Sequence, residues 1–240
     1  MAETFKPLTW DELSDHKYEM GVKKGVLYNG TPTAEEKTAG KAYSNGVAWN
    51  GLTGVTESPS GAEPTKIYAD DSVYATLMSL EELGATVECV NYPEEFDACN
   101  GIVKANGVLI AQQTRTPFGM SYVTTVGNAA GGESYKIHLL YGALASPSEK
   151  AYTTINESPE NMTFSYELTT TPVAVSYKDG DNTVELKKTA LLVIDAADHM
   201  TNGTKSAGLV ALEAALYGTT TAAPYLPTPE KVFELLATTA

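Results

Sequence analysis

Between Met162 and Thr169 apolar and polar residues alternate one for one. Met162, Phe164, Tyr166 and Leu168 interleave with Thr163, Ser165, Glu167, Thr169 and Thr171. A period of two fits a strand with one face on a core and one hydroxyl-rich face turned away from it. The run Tyr135–Tyr141 upstream has one strongly apolar parity, and the two runs are joined by a Ser/Pro-punctuated stretch from Ala145 to Asn161. That connection is too long for a plain turn. Nothing in it carries chemistry, so it reads as a surface that meets another protein.

The rest of the chain repeats the strand signal. Val22–Tyr28, Gly46–Thr56, Lys66–Met78, Leu83–Tyr92, Val108–Gln113, Phe118–Val126 and Val184–Asp195 are further strand candidates. Gly30–Asn45 and Glu57–Pro64 read as loops, and Pro93–Gly101 as a single helical turn. Helical spacing enters only late. Leu209, Leu212 and Leu216 recur at helix intervals between Ser206 as a cap and Gly218 as a stop. Thr228-Pro229-Glu230 then opens a second helix with N-cap, N1 proline and first-turn acid in order. The sum is a mainly β chain, a β-sandwich or partly closed barrel with one or two flanking C-terminal helices. Residues 1–20 read as an N-terminal arm and 21–240 as one domain, with 174–240 as a strand-plus-helix extension.

Composition narrows the function. At 240 residues and 42% hydrophobic content there is enough material for a real core. No apolar run reaches the roughly 18 residues of a membrane span. The N-terminus lacks the basic and apolar regions of a signal peptide, so cytosolic folding with free Cys89 and Cys99 is expected. Acids outnumber bases 30 to 16, for a net charge of -14, and Arg115 is the only arginine. Tight nucleic-acid binding needs the opposite balance.

Candidate chemistry is sparse. His16, His138 and His199 are far apart, and no nucleophile elbow accompanies them. His138 should be a solvent-facing or hydrogen-bonded strand residue. Asp195, Asp198 and His199 match no defined metal spacing. Asp70-Asp71 and Glu94-Glu95 are adjacent acids that a strand would point apart. Asn29, Asn161 and Asn202 head glycosylation sequons that here mean turn chemistry only. No catalytic, cofactor or metal site is expected, and no enzyme activity.

Longer segments carry a resemblance. Gly46 to Pro64 (GVAWNGLTGVTESPSGAEP), Ile67-Tyr-Ala-Asp70 and Tyr135 to Lys150 (YKIHLLYGALASPSEK) resemble major tail proteins, the tail tube proteins of long-tailed bacteriophages. Glu82–Glu88, Tyr92–Phe96, Gln113–Gly119, Tyr18–Val22 and Leu226–Glu230 are similar in the same order. The likeness covers most of the chain and is weakest over Thr31–Ala42 and Asp179–Thr204.

The resemblance implies a tail-tube-type β-sandwich that closes into hexameric rings stacked as a hollow tube, assembled in the host bacterial cytoplasm and resident in the virion tail. Its partners would be further copies of itself, tape measure and tail tip or terminator proteins, and double-stranded DNA that passes through unbound. An acidic lumen lets a polyanion slide, and Glu82, Glu88 and Glu167 are the residues expected to line it. Trp10, Trp49, Ser148, Glu149, Lys150, Tyr152 and Glu157 are the expected subunit or ring contacts, with Trp49 equally readable as core. A surface- or carbohydrate-binding β-sandwich is the alternative, and a β-fold hydrolase a distant third.

Overall fold

The computed structural model describes residues 8, 10–13, 16–152, 154, 161–180, 182–201 and 203–238. In chain order they form β1 (Lys17–Gly30), α1 (Ala34–Thr38), β2 (Lys41–Ala48), β3 (Leu52–Gly61), β4 (Pro64–Ala69), β5 (Ser72–Met78) and β6 (Glu81–Cys89). After a 3-10 turn at Glu94–Phe96 come β7 (Val103–Ala105), β8 (Val108–Ile110), β9 (Phe118–Asn128), β10 (Glu133–Ala145), β11 (Phe164–Thr170), β12 (Val173–Asp179), β13 (Asn182–Thr189) and β14 (Leu191–Asp195). A 3-10 turn at Ala196–His199 leads to β15 (Met200–Thr201), β16 (Thr204–Lys205), α2 (Ala207–Tyr217), β17 (Leu226–Pro227) and α3 (Pro229–Leu236).

One nine-stranded sheet runs β17-β2-β1-β9-β10-β11-β6-β3, with β14 paired to β10 off that path. It does not close into a barrel; it bends into a sandwich, and β10 is the corner. Lys136–Leu140 of β10 pair with β14, and Ala143–Ala145 pair with β11. Between them the β9 register slips by one residue. Gly142 occupies this bulge at φ +60°, and a Cβ there would lie 2.4 Å from the Thr171 carbonyl oxygen. Only glycine meets both demands.

The bend creates two cores. The first lies between β1-β9-β10 and β6-β11, filled by Leu27, Val87, Phe96, Phe118, Met120, Leu140, Tyr166 and Leu168. Rings of Trp49, Tyr92, Phe118 and Tyr166 surround Phe96 with centroids 4.8–5.8 Å away, spacing suited to edge-on and tilted aromatic contact. The second core lies on the other face of β9 and β10, where Ile137, Leu139 and Tyr141 meet Leu209, Leu212 and Leu216 of α2 and Val232 of α3. Buried tyrosines fasten that helical layer: Tyr28 donates to the Leu216 carbonyl at 2.9 Å and Tyr141 to the Pro227 carbonyl at 3.0 Å. Both helix caps take the expected form, with Ser206 accepting from Leu209 N–H and Thr228 from Lys231 N–H.

Several segments depart from the sequence expectation. Gly30–Asn45 is no loop: a Thr33/Glu36 capping box starts α1, and most of β2 follows. Gly46–Thr56 is two strands split by a turn, with Gly51 at φ +88°. Glu57–Gly61 is strand despite Ser58-Pro59-Ser60. Pro59 is tolerated because, among the described residues, β3 ends the sheet and has no strand on its outer side to donate to. Asp70 and Asp71 are not opposed strand residues but the two central residues of a tight hairpin turn, both at positive φ. Val184–Asp195 is split between β13 and β14. Strand β1 starts at Lys17, inside the stretch read as an arm.

A candidate assembly surface

The ladder of β3, β6 and β11 decides which side chains share a face. Ser60, Ser58, Thr56 and Gly54 lie opposite Glu82, Gly84, Thr86 and Glu88. Thr169, Glu167 and Ser165 lie opposite Gly84, Thr86 and Glu88 from the other side. Directly paired residues project from the same side of a sheet. The resulting face is built of Gly, Ser, Thr and Glu only, and Glu82, Glu88 and Glu167 are all exposed on it. The opposite parity, Val55, Ala85, Val87, Tyr166 and Leu168, closes the first core. The alternation from Phe164 to Thr169 is thus realised. Beyond β3 no strand pairs among the described residues, so an open edge borders the acidic face.

The same ribbon continues past the sheet. β3 and β6 are joined by β4 and β5, which form their own two-stranded hairpin. Gly61 at φ +83° and Ala62 at φ +53° make the bend between the two parts. The hairpin extends roughly 20 Å at strand rise, and no third strand among the described residues pairs with it. Ile67 and Leu77 lie on one of its faces, Tyr68, Val73 and Met78 on the other, and all are exposed. Tyr68 is 67% exposed, Tyr74 75% and neighbouring Leu80 88%. The hairpin is thus apolar on both faces, the kind of exposed surface that binding sites present. The sequence reading of Lys66–Met78 as a single strand is corrected to a hairpin turning at Asp70-Asp71, and that reading gave the segment no contact role.

The other expected contacts divide. Trp10 is 76% exposed, whereas Trp49 is 3% exposed, packed on Phe96, with its indole N–H donating to the Asn91 carbonyl at 3.1 Å. Trp49 is therefore a core residue of its own chain. In the long connection Glu149 and Tyr152 are exposed and Ser148 is half-buried. Lys150 turns inward, donating to the Tyr92 hydroxyl at 3.1 Å and lying over the Tyr92 and Phe164 rings. Glu157 lies outside the described residues.

One polar cluster sits at the rim of the first core. His138 is buried and stacked on Tyr122, with ring centroids 4.6 Å apart. Its Nδ1 is 3.0 Å from Glu57 Oε1 and its Nε2 3.0 Å from Thr124 Oγ1. Glu57 also accepts from the Tyr122 hydroxyl. Thr124 donates to Glu19 Oε1 at 2.5 Å, and Lys136 donates to Glu19 Oε2 at 2.6 Å. The Lys136 bond, then the Thr124 bond, hold the Glu19 carboxyl below its ordinary range. Burial, and then the bond to Glu57, push the Tyr122 phenol up. His138 is hydrogen-bonded as expected, but it faces the interior and not solvent. Asp195 caps the 3-10 turn through Ala197 N–H. Among the described residues no three His, Cys, Asp or Glu side chains converge as metal ligands, and no helix is long and apolar enough to cross a membrane.

No family model matches the chain, and no curated protein does. Among solved structures it is similar to a chain in the cryo-EM structure of the anti-feeding prophage (AFP) baseplate, 6-fold symmetrised. The two share 10% identity over 71% of this chain and 92% of that one, with a TM-score of 0.35. A likeness of that size carries no conclusion about role.

Proposed function

We propose that this chain is a structural subunit of a phage-type tail tube, in which copies close into hexameric rings and the rings stack around an acidic channel for DNA. The observation that carries the reading is the β3-β6-β11 sheet. One face closes a core, the other offers only Gly, Ser, Thr and Glu, and its outer edge is unpaired among the described residues. A bare edge is a hazard in a monomer and an asset in a ring, where a neighbour pairs with it. A hydroxyl and carboxylate wall hydrates well and repels phosphate, so a polyanion slides past without sticking. The exposed β4–β5 hairpin supplies the contact between copies. Its surface differs from the edge it would meet, so the association is head-to-tail, the kind that makes rings and filaments. The sequence resemblance to tail tube proteins points the same way. Tape measure, tail tip and terminator proteins would then be the further partners, and the virion tail the location.

Concentrated protein viewed by negative-stain microscopy tests the reading. Rings or hollow tubes are expected. A monomer at every concentration, with and without a nucleating tail-tip complex, that also binds glycans would replace this reading with a carbohydrate-binding sandwich. Within assembled tubes, the triple substitution Glu82→Lys, Glu88→Lys, Glu167→Lys should retain DNA that the parent releases. Normal release from such tubes would remove these three residues from the channel.

A further inference from the structure

A cleft of about 510 Å³ lies between the loop that follows the first 3-10 turn, the segment that follows β8 and the connection that leaves β10. Asn100, Gln112, Gln113, Arg115, Ser148 and Lys150 give it its polar lining, and no Asp or Glu is among the described residues that line it. Neighbouring Glu149 is exposed and stays outside. In a chain with 30 acids against 16 bases and a single arginine, a cleft that holds that arginine and no carboxylate stands apart by its charge. Two of its groups are unspent. Asn100 is only 8% exposed, and its side-chain amide has no hydrogen-bond partner among the described residues. The Arg115 Nε is buried without a hydrogen-bond partner. Each ion pair among the described residues uses a lysine or a histidine, and none uses Arg115. A half-buried cation left unpaired costs free energy that an incoming anion offsets.

The guanidinium is also held in place. A Cβ on Gly101 would lie 3.2 Å from Arg115 Cγ and 3.6 Å from its Cζ, so the side chain rests against the bare Gly101 backbone. Gln113 N–H donates to the Gly101 carbonyl at 2.9 Å and Thr116 N–H to the Ala98 carbonyl at 3.3 Å, which clamps the chain on both sides of Arg115. Lys150 is engaged elsewhere, on the Tyr92 hydroxyl and over the Tyr92 and Phe164 rings. The cleft therefore offers one planar, singly charged fork beside a buried amide donor. That set matches a carboxylate, which is planar and carries one charge. A phosphate, with close to two charges at neutral pH, calls for more cations than the cleft supplies. We propose that this cleft is a carboxylate-binding site, with Arg115 as the charged fork and Asn100 as the second donor. It belongs to the single chain and requires nothing of the tube reading.

The test uses the full chain in solution, with sodium acetate as the probe. Because Arg115 is the only arginine, its Nε–H gives a single signal in a ¹⁵N-correlated spectrum. That signal and the Asn100 side-chain amide should shift together along one saturating curve in acetate. Sodium chloride at matched ionic strength should leave both in place, and inorganic phosphate should bind no tighter than acetate. Arg115→Gln should weaken the Asn100 response about tenfold, the effect of one charge-assisted hydrogen bond. Arg115→Lys, which keeps the charge without the fork, should restore part of it. A parent protein that shows no saturation, or responds equally to chloride, would overturn the site, and this holds even if a variant fails to fold. Phosphate binding about tenfold tighter than acetate would overturn the carboxylate assignment. Dilution without acetate separates the sources of the carboxylate. Signals that move toward the acetate-bound position as protein concentration rises assign it to a side chain of a second copy. Signals that saturate in acetate but ignore protein concentration assign it to a free small carboxylate. Neither result depends on whether tubes form.

Discussion

The β4–β5 hairpin and the β9–β10 hairpin are built from similar residues and meet opposite fates. Ile67, Tyr68, Val73, Tyr74 and Leu77 are as strand-prone as Tyr122, Val123, Ile137, Leu139 and Tyr141. Yet the first set is exposed on both faces of its ribbon, and the second is buried on both faces of its sheet. The difference lies in what covers them. β9–β10 has the β6–β11 layer on one side and α2 with α3 on the other. β4–β5 has nothing among the described residues. An isolated two-stranded hairpin is marginal in water, so the apolar faces of β4–β5 make physical sense as surface awaiting cover from another molecule.

Substitutions in the two hairpins should therefore separate folding from assembly. Leu139→Ala removes a fully buried side chain and should cost about 3 kcal/mol in denaturant unfolding. The triple change Tyr68→Ser, Tyr74→Ser, Leu77→Ser should move monomer stability by no more than about 0.5 kcal/mol while abolishing rings and tubes. A triple variant that unfolds the monomer would mean that the hairpin packs on its own chain, and the contrast would collapse.

The corner that makes β10 two-sided is the next place to press. Gly142→Ala adds a Cβ against the Thr171 carbonyl at a backbone angle that disfavours it. A loss of about 2 kcal/mol is expected, with amide exchange rising first in Phe164–Thr170, the strand that pairs only beyond the bend. Uniform acceleration over both cores would show that the bend does not separate them.

How much of this was readable beforehand follows the same division. Elements whose burial partners lie within the chain announced themselves by periodicity. Phe164–Thr169 alternates as a one-sided strand should, and α2 and α3 carry their caps at Ser206 and Thr228. The second half of β3, Glu57–Gly61, did not announce itself, because Ser58-Pro59-Ser60-Gly61 has turn composition. Only its position at the sheet edge makes proline harmless there. Thr33 and Glu36 did spell a capping box, but five helical residues are too few to show periodicity. The His138 cluster was out of reach for a different reason. Glu57 is 65 residues from Tyr122 and 81 from His138, and only the bend of the nine-stranded sheet brings them together. The acidic face was legible as three glutamates on polar strand parities. That they share one surface required the pairing of β6 with β11.

Alkaline pH offers a smaller effect confined to the covered region. Burial pushes the Cys99 thiol up to about 11 from its ordinary value of 9.0. A group whose folded value is raised contributes its full stability below its unfolded value and loses it as pH rises through the folded one. The Cys99 contribution is therefore complete below about pH 9 and gone above about pH 11. Burial raises the Tyr28 and Tyr141 phenols in the same direction. Melting curves should fall steeply across this window, and Cys99→Ala should fall less steeply. Neither Cys89 nor Cys99 should react with a thiol reagent until the chain unfolds, since both are buried. Rapid native labelling would show that the first core opens locally.

The smallest expected effect falls on the tip of the uncovered hairpin, where no packing masks it. Asp70 and Asp71 sit at φ +50° and +60°, the geometry of a two-residue turn in which both central residues are left-handed. Aspartate tolerates that region less well than Asn or Gly, and two adjacent carboxylates repel each other. Asp70→Asn with Asp71→Gly should therefore stabilise the hairpin locally by about 0.5 kcal/mol. Because β4–β5 contributes nothing to either core, the gain should appear as slower amide exchange in Pro64–Met78 and not in the melting temperature. A matching rise in melting temperature would couple the hairpin to the sandwich and weaken the case that it is built for a partner.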